Sequence, residues 1–298
     1  METILGTGYS GDPGDALLVD RAMQGEKAAL EALIRKHQDW IFNIVLRMVG
    51  SPQDAEDVAQ EILIKLITKL STFEKRSGFR TWLYRIVVNH VLTMRRRPWE
   101  RLFSSFERQG RLIDGLPASD SGLAGRNPAV EKLLEWETRA GCLSGMLLCL
   151  DRTQRMALVL SSLFGADSTL GGQLLETTSD NYRQILSRAR KQLANFMNER
   201  CGLFNESNPC RCSRKTQAAI DAGLVDPNNL RFDRNYLARV KDFVAEETHK
   251  VGPGMEAKLH GILRDQPLYN ATDLKRILRI MLRRGDLGRI VNFDTLRT

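Results

Sequence analysis

Two groups of side chains in the first third of the chain have the types and spacing for recognition chemistry. The run Ser51-Pro-Gln-Asp-Ala-Glu-Asp-Val-Ala-Gln-Glu61 carries Asp54, Glu56, Asp57, Gln60 and Glu61. On a helix, Asp54, Asp57 and Glu61 share one face flanked by Glu56 and Gln60, while Val58, Ile62, Leu66 and Leu70 recur four apart on another. Such a carboxylate face can receive the lysines and arginines of a partner; taken alone, it equally describes a solvated helix face. Metal ligation fits the acids less well, because no histidine or cysteine joins them and a one-sided stripe lacks the looped oxygen cage of a calcium site.

The second group is Phe79-Arg-Thr-Trp-Leu-Tyr-Arg-Ile-Val-Val-Asn89, closed by Arg95, Arg96 and Arg97. Helical spacing puts Phe79, Leu83, Ile86, Val87, His90 and Met94 on a core side with Trp82 at its margin, and Thr81, Tyr84, Arg85 and Val88 on the opposite side. Exposed aromatics stack on unpaired bases and arginines neutralise phosphates, so this helix suits single-stranded nucleic acid. Core packing of Phe79, Trp82 and His90, with the terminal arginines complementing a helix dipole, is the competing reading. No phosphate-binding glycine loop with lysine, nucleophile and base pairing, or complete metalloenzyme signature is present, which argues against an enzyme.

The elements that must position these residues are helical throughout, and the expected fold class is all-α. Apolar residues recur at helical spacing from about Asp15 to Arg97, with Gly25 and Gly50 as punctuation, and Ser51-Pro52 with Asp54 forms a helix start. Pro98 ends that run, and Pro117, Gly122, Gly125 and Pro128 mark residues 98–128 as a flexible polar linker. A second helical block spans 129–200, and a mainly helical extension spans 201–298, with helices expected at 215–222, 235–249 and 272–284. Residues 1–14 form an N-terminal tail without the basic and apolar parts of a signal peptide, and no apolar run reaches the ~18 residues of a membrane span. A cytoplasmic protein is therefore expected, without membrane insertion. The 298 residues carry a net charge of +8, which favours an anionic partner.

On these residues the chain resembles bacterial RNA polymerase sigma factors of the extracytoplasmic function group. Asp54 to Glu61 is similar to the family's clamp-binding helix, and Phe79 to Asn89 to its promoter-melting and minus-ten-reading segment, in the same order and separation. The resemblance implies that residues 15–97 are a region 2 domain, in which Asp54, Glu56, Asp57, Gln60 and Glu61 face the β′ clamp of core polymerase, whose β subunit is a further partner. It implies minus-ten DNA contacts from Lys75, Arg76, Ser77, Arg80, Trp82, Tyr84, Arg85, Asn89, Arg95, Arg96 and Arg97. The loop around Lys75, Arg76 and Ser77 would catch a base flipped from the non-template strand. Extrusion costs a few kcal/mol, least in DNA that is already opening.

The second block is similar to the family's region 4, a helix-turn-helix domain for the minus-thirty-five element, with Thr169 to Leu175 as first helix and Ser179 to Leu193 as recognition helix. This nominates Ser179, Asp180, Asn181, Tyr182 and Arg183 for base readout, and Arg188, Arg190 and Lys191 for phosphate. Gly171-Gly172 departs from the family, and each glycine costs about 1 kcal/mol against alanine inside a helix. The partners implied are core polymerase, promoter DNA as duplex and as non-template single strand, and an anti-sigma factor.

Cys201, Cys210 and Cys212 lie beyond the usual core of that family, in a turn-rich segment. Three thiols can contribute to a zinc site, which takes four nitrogen or sulfur ligands, and Cys142, Cys149, His249 or His260 could complete it if the fold brought one close. A redox pair and plain packing are the other readings; Cys142 and Cys149 read as core, and no cofactor is required. A basic amphipathic segment carries Lys275, Arg276, Arg279, Arg283 and Arg284. Two functions compete with the sigma reading: a helix-turn-helix regulator that binds duplex DNA without polymerase, and an adaptor that binds other proteins.

Overall fold

In a computed structural model of the chain, residues 13–119, 123, 126–232 and 254–264 are described. Among them all regular structure is helical, with no strand. Helices α1 (Pro13–Met23), α2 (Lys27–Val49), α3 (Pro52–Lys69) and α4 (Phe79–Thr93) come first, with a 3-10 turn at Leu70–Thr72. Gly50 closes α2 with φ of 76°, the left-handed geometry that glycine adopts without penalty. Ser51 Oγ then accepts from the Asp54 amide at 3.4 Å and Pro52 occupies the first turn of α3, so the capping pattern sets this sharp reversal.

The reversal lays α3 along α2, and the four-apart stripe of Val58, Ile62 and Leu66 is buried against Leu33, Ile41, Ile44 and Met48. Helix α4 adds Leu83, Val87 and Val91 to the same core. Burying each such side chain contributes roughly 1.5–3 kcal/mol, so this cluster supplies much of the driving force for folding.

The expected linker is half helical. Helices α5 (Pro98–Leu102) and α6 (Phe106–Gly115) lie within it, and Glu100, Phe103 and Ile113 are buried. Beyond it come α7 (Pro128–Leu148), α8 (Arg152–Phe164), α9 (Ser168–Leu174) and α10 (Ser179–Arg200). Met156, Leu160 and Phe164 of α8 and Leu174 of α9 join the core built by α2, α3 and α4. A second cluster gathers Leu143 and Leu147 of α7, Leu158 of α8 and Leu186, Leu193 and Met197 of α10.

The extension contributes α11 (Cys212–Asp221), packed on α7, and α12 (Met255–Arg264), packed on α8 and α10. Leu259 and Leu263 bury α12 in the second cluster, a helix that periodicity had not singled out. The helices expected at 235–249 and 272–284, His249, and the basic residues Lys275 to Arg284 fall outside the described residues.

Candidate functional site

The acidic face of α3 is presented unevenly. Asp57 and Glu61 are exposed and Glu56 and Gln60 half-exposed, because Val58 and Ile62 turn into the core from the opposite side of the helix. Asp54 is half-buried, and burial raises its carboxyl above the usual range despite the charge of Arg97. Glu61 is engaged within the chain: Arg97 donates to it at 2.9 Å and His90 Nε2 lies 3.0 Å away. His90 is buried, and that burial, with the nearby charge of Lys65, lowers its pKa.

Helix α4 lies between α3 on one side and α8 and α9 on another, which changes the expected assignment of its faces. Thr81, Tyr84 and Val88, expected on an open side, are buried. Tyr84 is therefore no exposed stacking face: its ring stacks on Trp40 with centroids 4.2 Å apart. Trp82 is half-buried against Phe73 and Phe79, with ring centroids at 5.3 and 5.6 Å. Arg85, Asn89, Arg95 and Arg96 are exposed, whereas Arg97 is half-buried in its pairing with Glu61.

The loop before α4 projects Lys75 and Arg76, both exposed, with Ser77 half-buried beside them. Lys75 has φ of 58°, an uncommon left-handed conformation for a residue with a side chain, and its ammonium is 2.5 Å from Asp20 of α1. Arg76 pairs with Glu74 at 2.6 Å. Behind the loop, Asp15 is buried 2.7 Å from Lys36 Nζ, 3.1 Å from His37 Nε2 and 3.3 Å from Arg80 Nε. Burial pushes the Asp15 carboxyl up, but His37 and Lys36 outweigh it and lower the pKa to about 2. Arg80 is thus tied to α1 through this carboxylate.

Helices α9 and α10 are joined by a four-residue turn in which Glu176 has φ of 52°. Asp167 caps α9 by accepting from the Leu170 amide at 2.7 Å, and Thr178 caps α10 by accepting from the Asn181 amide at 3.1 Å. The two glycines of α9 now have a reason. A Cβ on Gly171 would stand 2.1 Å from the Tyr182 ring, and one on Gly172 would stand 3.0 Å from the Thr177 carbonyl oxygen. Helix propensity is given up so that α9 and α10 can approach.

Tyr182 is accordingly a core residue rather than a base reader: it is fully buried and its hydroxyl donates to the Ala157 carbonyl at 3.0 Å. Asp180, Asn181, Arg183, Arg188 and Lys191 are exposed, and Ser179 is half-buried. Arg183 donates to Ser168 at 3.1 Å and Arg190 to Ser161 at 3.2 Å. The two nominated DNA surfaces also touch: Asn89 of α4 donates to Glu176 at 3.5 Å.

A buried ion network, not singled out from sequence, holds these elements together. Glu100 accepts a forked pair from Arg152 at 2.9 and 2.7 Å, a bond from Arg155 at 3.2 Å and one from the Arg97 amide at 3.1 Å. Arg152 also donates to the Met94 carbonyl at 2.5 Å, and Arg155 to those of Met48, Leu148 and Leu150. Burial works against the Glu100 charge, yet the Arg152 and Arg97 hydrogen bonds and both arginine charges hold its pKa below the ordinary value. Pro98 followed two residues later by an acid was the available signal, a helix start needing an acceptor.

Residues 33–101, which contain both the acidic face and α4, match the family described as sigma-70 region 2. Over 177 residues the chain is 27% identical to the ECF RNA polymerase sigma factor SigE of Mycolicibacterium smegmatis, covering 58% of this chain and 64% of that protein. It is 29% identical over 185 residues to the ECF RNA polymerase sigma-E factor of Escherichia coli K12, covering 61% of this chain and 93% of the relative. The chain belongs to the extracytoplasmic function sigma factors. A shorter stretch of 88 residues is 42% identical to the RNA polymerase sigma-H factor of Pseudomonas aeruginosa, 28% of this chain and about half, 46%, of that protein. Among the described residues of this sigma factor, no helix is long and apolar enough to cross a membrane.

Proposed function

We infer that this sigma factor joins core RNA polymerase and directs it to promoters, with α3 docking on the β′ clamp, α4 and the loop at Lys75 to Ser77 acting at the minus-ten element, and α10 acting at the minus-thirty-five element. The observation that carries this reading is the exposed acidic face of α3 beside the exposed cations of α4. A basic partner can pair with Asp57 and Glu61 while Arg85, Arg95 and Arg96 remain directed at phosphates. Readout from α10 then rests on Ser179, Asp180, Asn181 and Arg183, because Tyr182 is spent in the core. Stacking on the melted strand rests on Trp82, because Tyr84 is enclosed.

Asn89 and Glu176 bond α4 to the turn before α10, so reading two separate promoter elements requires these surfaces to part as polymerase engages. Binding to polymerase supplies the free energy for that change only through tighter affinity for the open arrangement.

Run-off transcription with purified core polymerase on a genomic promoter library tests the reading. Asp57→Lys is the decisive variant, because Asp57 is exposed while Glu61 is engaged with Arg97 and His90. Its affinity for core polymerase should fall by about tenfold, about 1.4 kcal/mol, with an unchanged circular dichroism spectrum. Unchanged affinity would remove α3 as the docking helix, and absence of any initiated transcript with the unsubstituted chain would overturn the function.

A further inference from the structure

Four of the five cysteines converge from three separate parts of the chain. Cys142 lies in the middle of α7, Cys201 follows the end of α10, and Cys210 and Cys212 flank the start of α11. All four line one cavity of about 20 Å³, which has room for a single atom-sized occupant. Cys149 does not take part: its thiol donates to the Gly145 carbonyl at 3.3 Å, one turn back on α7. The spacing of Cys201, Cys210 and Cys212 supplied three ligands without a fourth, and the packing of α11 on α7 brings Cys142 to them.

The surroundings suit a site with negative charge. Arg139 and Arg200 line the same cavity, and Lys215 and Arg211 lie close enough to Cys210 to favour its thiolate. Cys212 is the first residue of α11, where the helix dipole and free amides also favour a thiolate. Among the described residues no three His, Cys, Asp or Glu side chains already stand in metal-holding geometry, so small side-chain rotations must draw the sulfurs inward. A low-pKa sensor thiol is disfavoured here, since burial raises Cys142, Cys210 and Cys212, the last to about 12.

We propose that Cys142, Cys201, Cys210 and Cys212 bind one zinc ion as four tetrahedral thiolates, stapling the extension to α7 and α10. Four soft sulfur ligands without an open position make a structural rather than catalytic site. Each thiol gives up its proton to solvent as the metal binds, so binding is coupled to pH and to the folding of this segment.

The test uses the full chain purified without chelator, with zinc measured by elemental analysis and cobalt substituted as a spectroscopic probe. One zinc per chain is expected, and the cobalt form should show the charge-transfer and d–d bands of a tetrahedral all-sulfur site. Cys142→Ser should weaken zinc binding at least tenfold and shift the cobalt bands to those of three sulfurs, while Cys149→Ser should leave both unchanged. No bound zinc and no cobalt spectrum would overturn the proposal. Retention of the all-sulfur spectrum in Cys142→Ser would remove the fourth ligand. Loss of two mass units on peroxide treatment, with no metal in the untreated chain, would make the cluster a redox pair instead. A variant that fails to fold is replaced by measuring zinc release on stepwise thiol modification of the unsubstituted protein, where release complete before the fourth thiol reacts is expected and release unrelated to thiol loss counts against the site.

Discussion

Replacing Glu100 probes how the helices on either side of α5 are held together. Glu100→Ala deletes the acceptor of four hydrogen bonds, two from Arg152, one from Arg155 and one from the Arg97 amide. The side chains of Glu100, Arg155 and Arg152 are only 1%, 4% and 12% exposed, so solvent cannot replace what is lost. Removing one partner of a buried pair costs about 3–5 kcal/mol, because the remaining charge stays buried and uncompensated. Both arginines keep backbone carbonyl acceptors, Met94 for Arg152 and Met48, Leu148 and Leu150 for Arg155. The loss should therefore fall at the low end, about 3 kcal/mol, and nearer 2 kcal/mol for Glu100→Gln, which keeps the volume and one oxygen.

Urea unfolding followed by circular dichroism measures this, and with a slope of about 2 kcal/mol/M a 3 kcal/mol loss lowers the midpoint by about 1.5 M. The pH dependence is a second reading. The folded pKa of Glu100 is below its unfolded value, so its contribution is present above about 4.5 and disappears as pH falls through the folded value. The gap between the unsubstituted protein and Glu100→Gln should stay constant from pH 7 to about 5 and narrow below about 4.5. A loss no larger than the ~0.5 kcal/mol of an ordinary surface substitution would refute the buried network as a stabilising element.

Gly171→Ala should destabilise the protein by about 1–3 kcal/mol, although alanine is the better helix former, because its methyl meets the Tyr182 ring. Pairing it with Tyr182→Leu should cost less than the sum of the two changes, and strict additivity in thermal unfolding would rule out the contact as the cause. Asp15→Asn should lower stability at neutral pH. Because the Asp15 pKa is lowered to about 2, that contribution is present above about 3.8 and lost toward pH 2, and a pH-independent difference would argue against the charged cluster. Arg95→Ala with Arg96→Ala should reduce the salt dependence of holoenzyme binding to single-stranded minus-ten DNA by a log–log slope of roughly 1.4, from ~0.7 per phosphate contact; an unchanged slope would exclude both arginines from the DNA.

The all-α class, the cap at Ser51 and the core stripes of α2 and α3 were readable because capping and periodicity are local properties of the chain. The same holds for the acidic face of α3, whose exposure follows from the position of Val58 and Ile62 opposite it. Residues 98–115 read as linker because their few apolar residues form no long stripe, yet Glu100 and Phe103 are buried by partners distant in sequence. Gly171 looked like a weakness in its helix and proved to be the space that Tyr182 fills from the next one.

By itself, then, the sequence determined the helices, their caps and the order of the recognition segments, since each depends on neighbours within a turn or two. The tertiary structure alone decided which face of α4 stays open, since α8 and α9 cover the side where Tyr84 was expected to meet solvent. It also decided that Cys142 rather than Cys149 stands with Cys201, Cys210 and Cys212. Both outcomes depend on contacts between segments far apart in the chain, and spacing along one helix carries no record of what will pack against it.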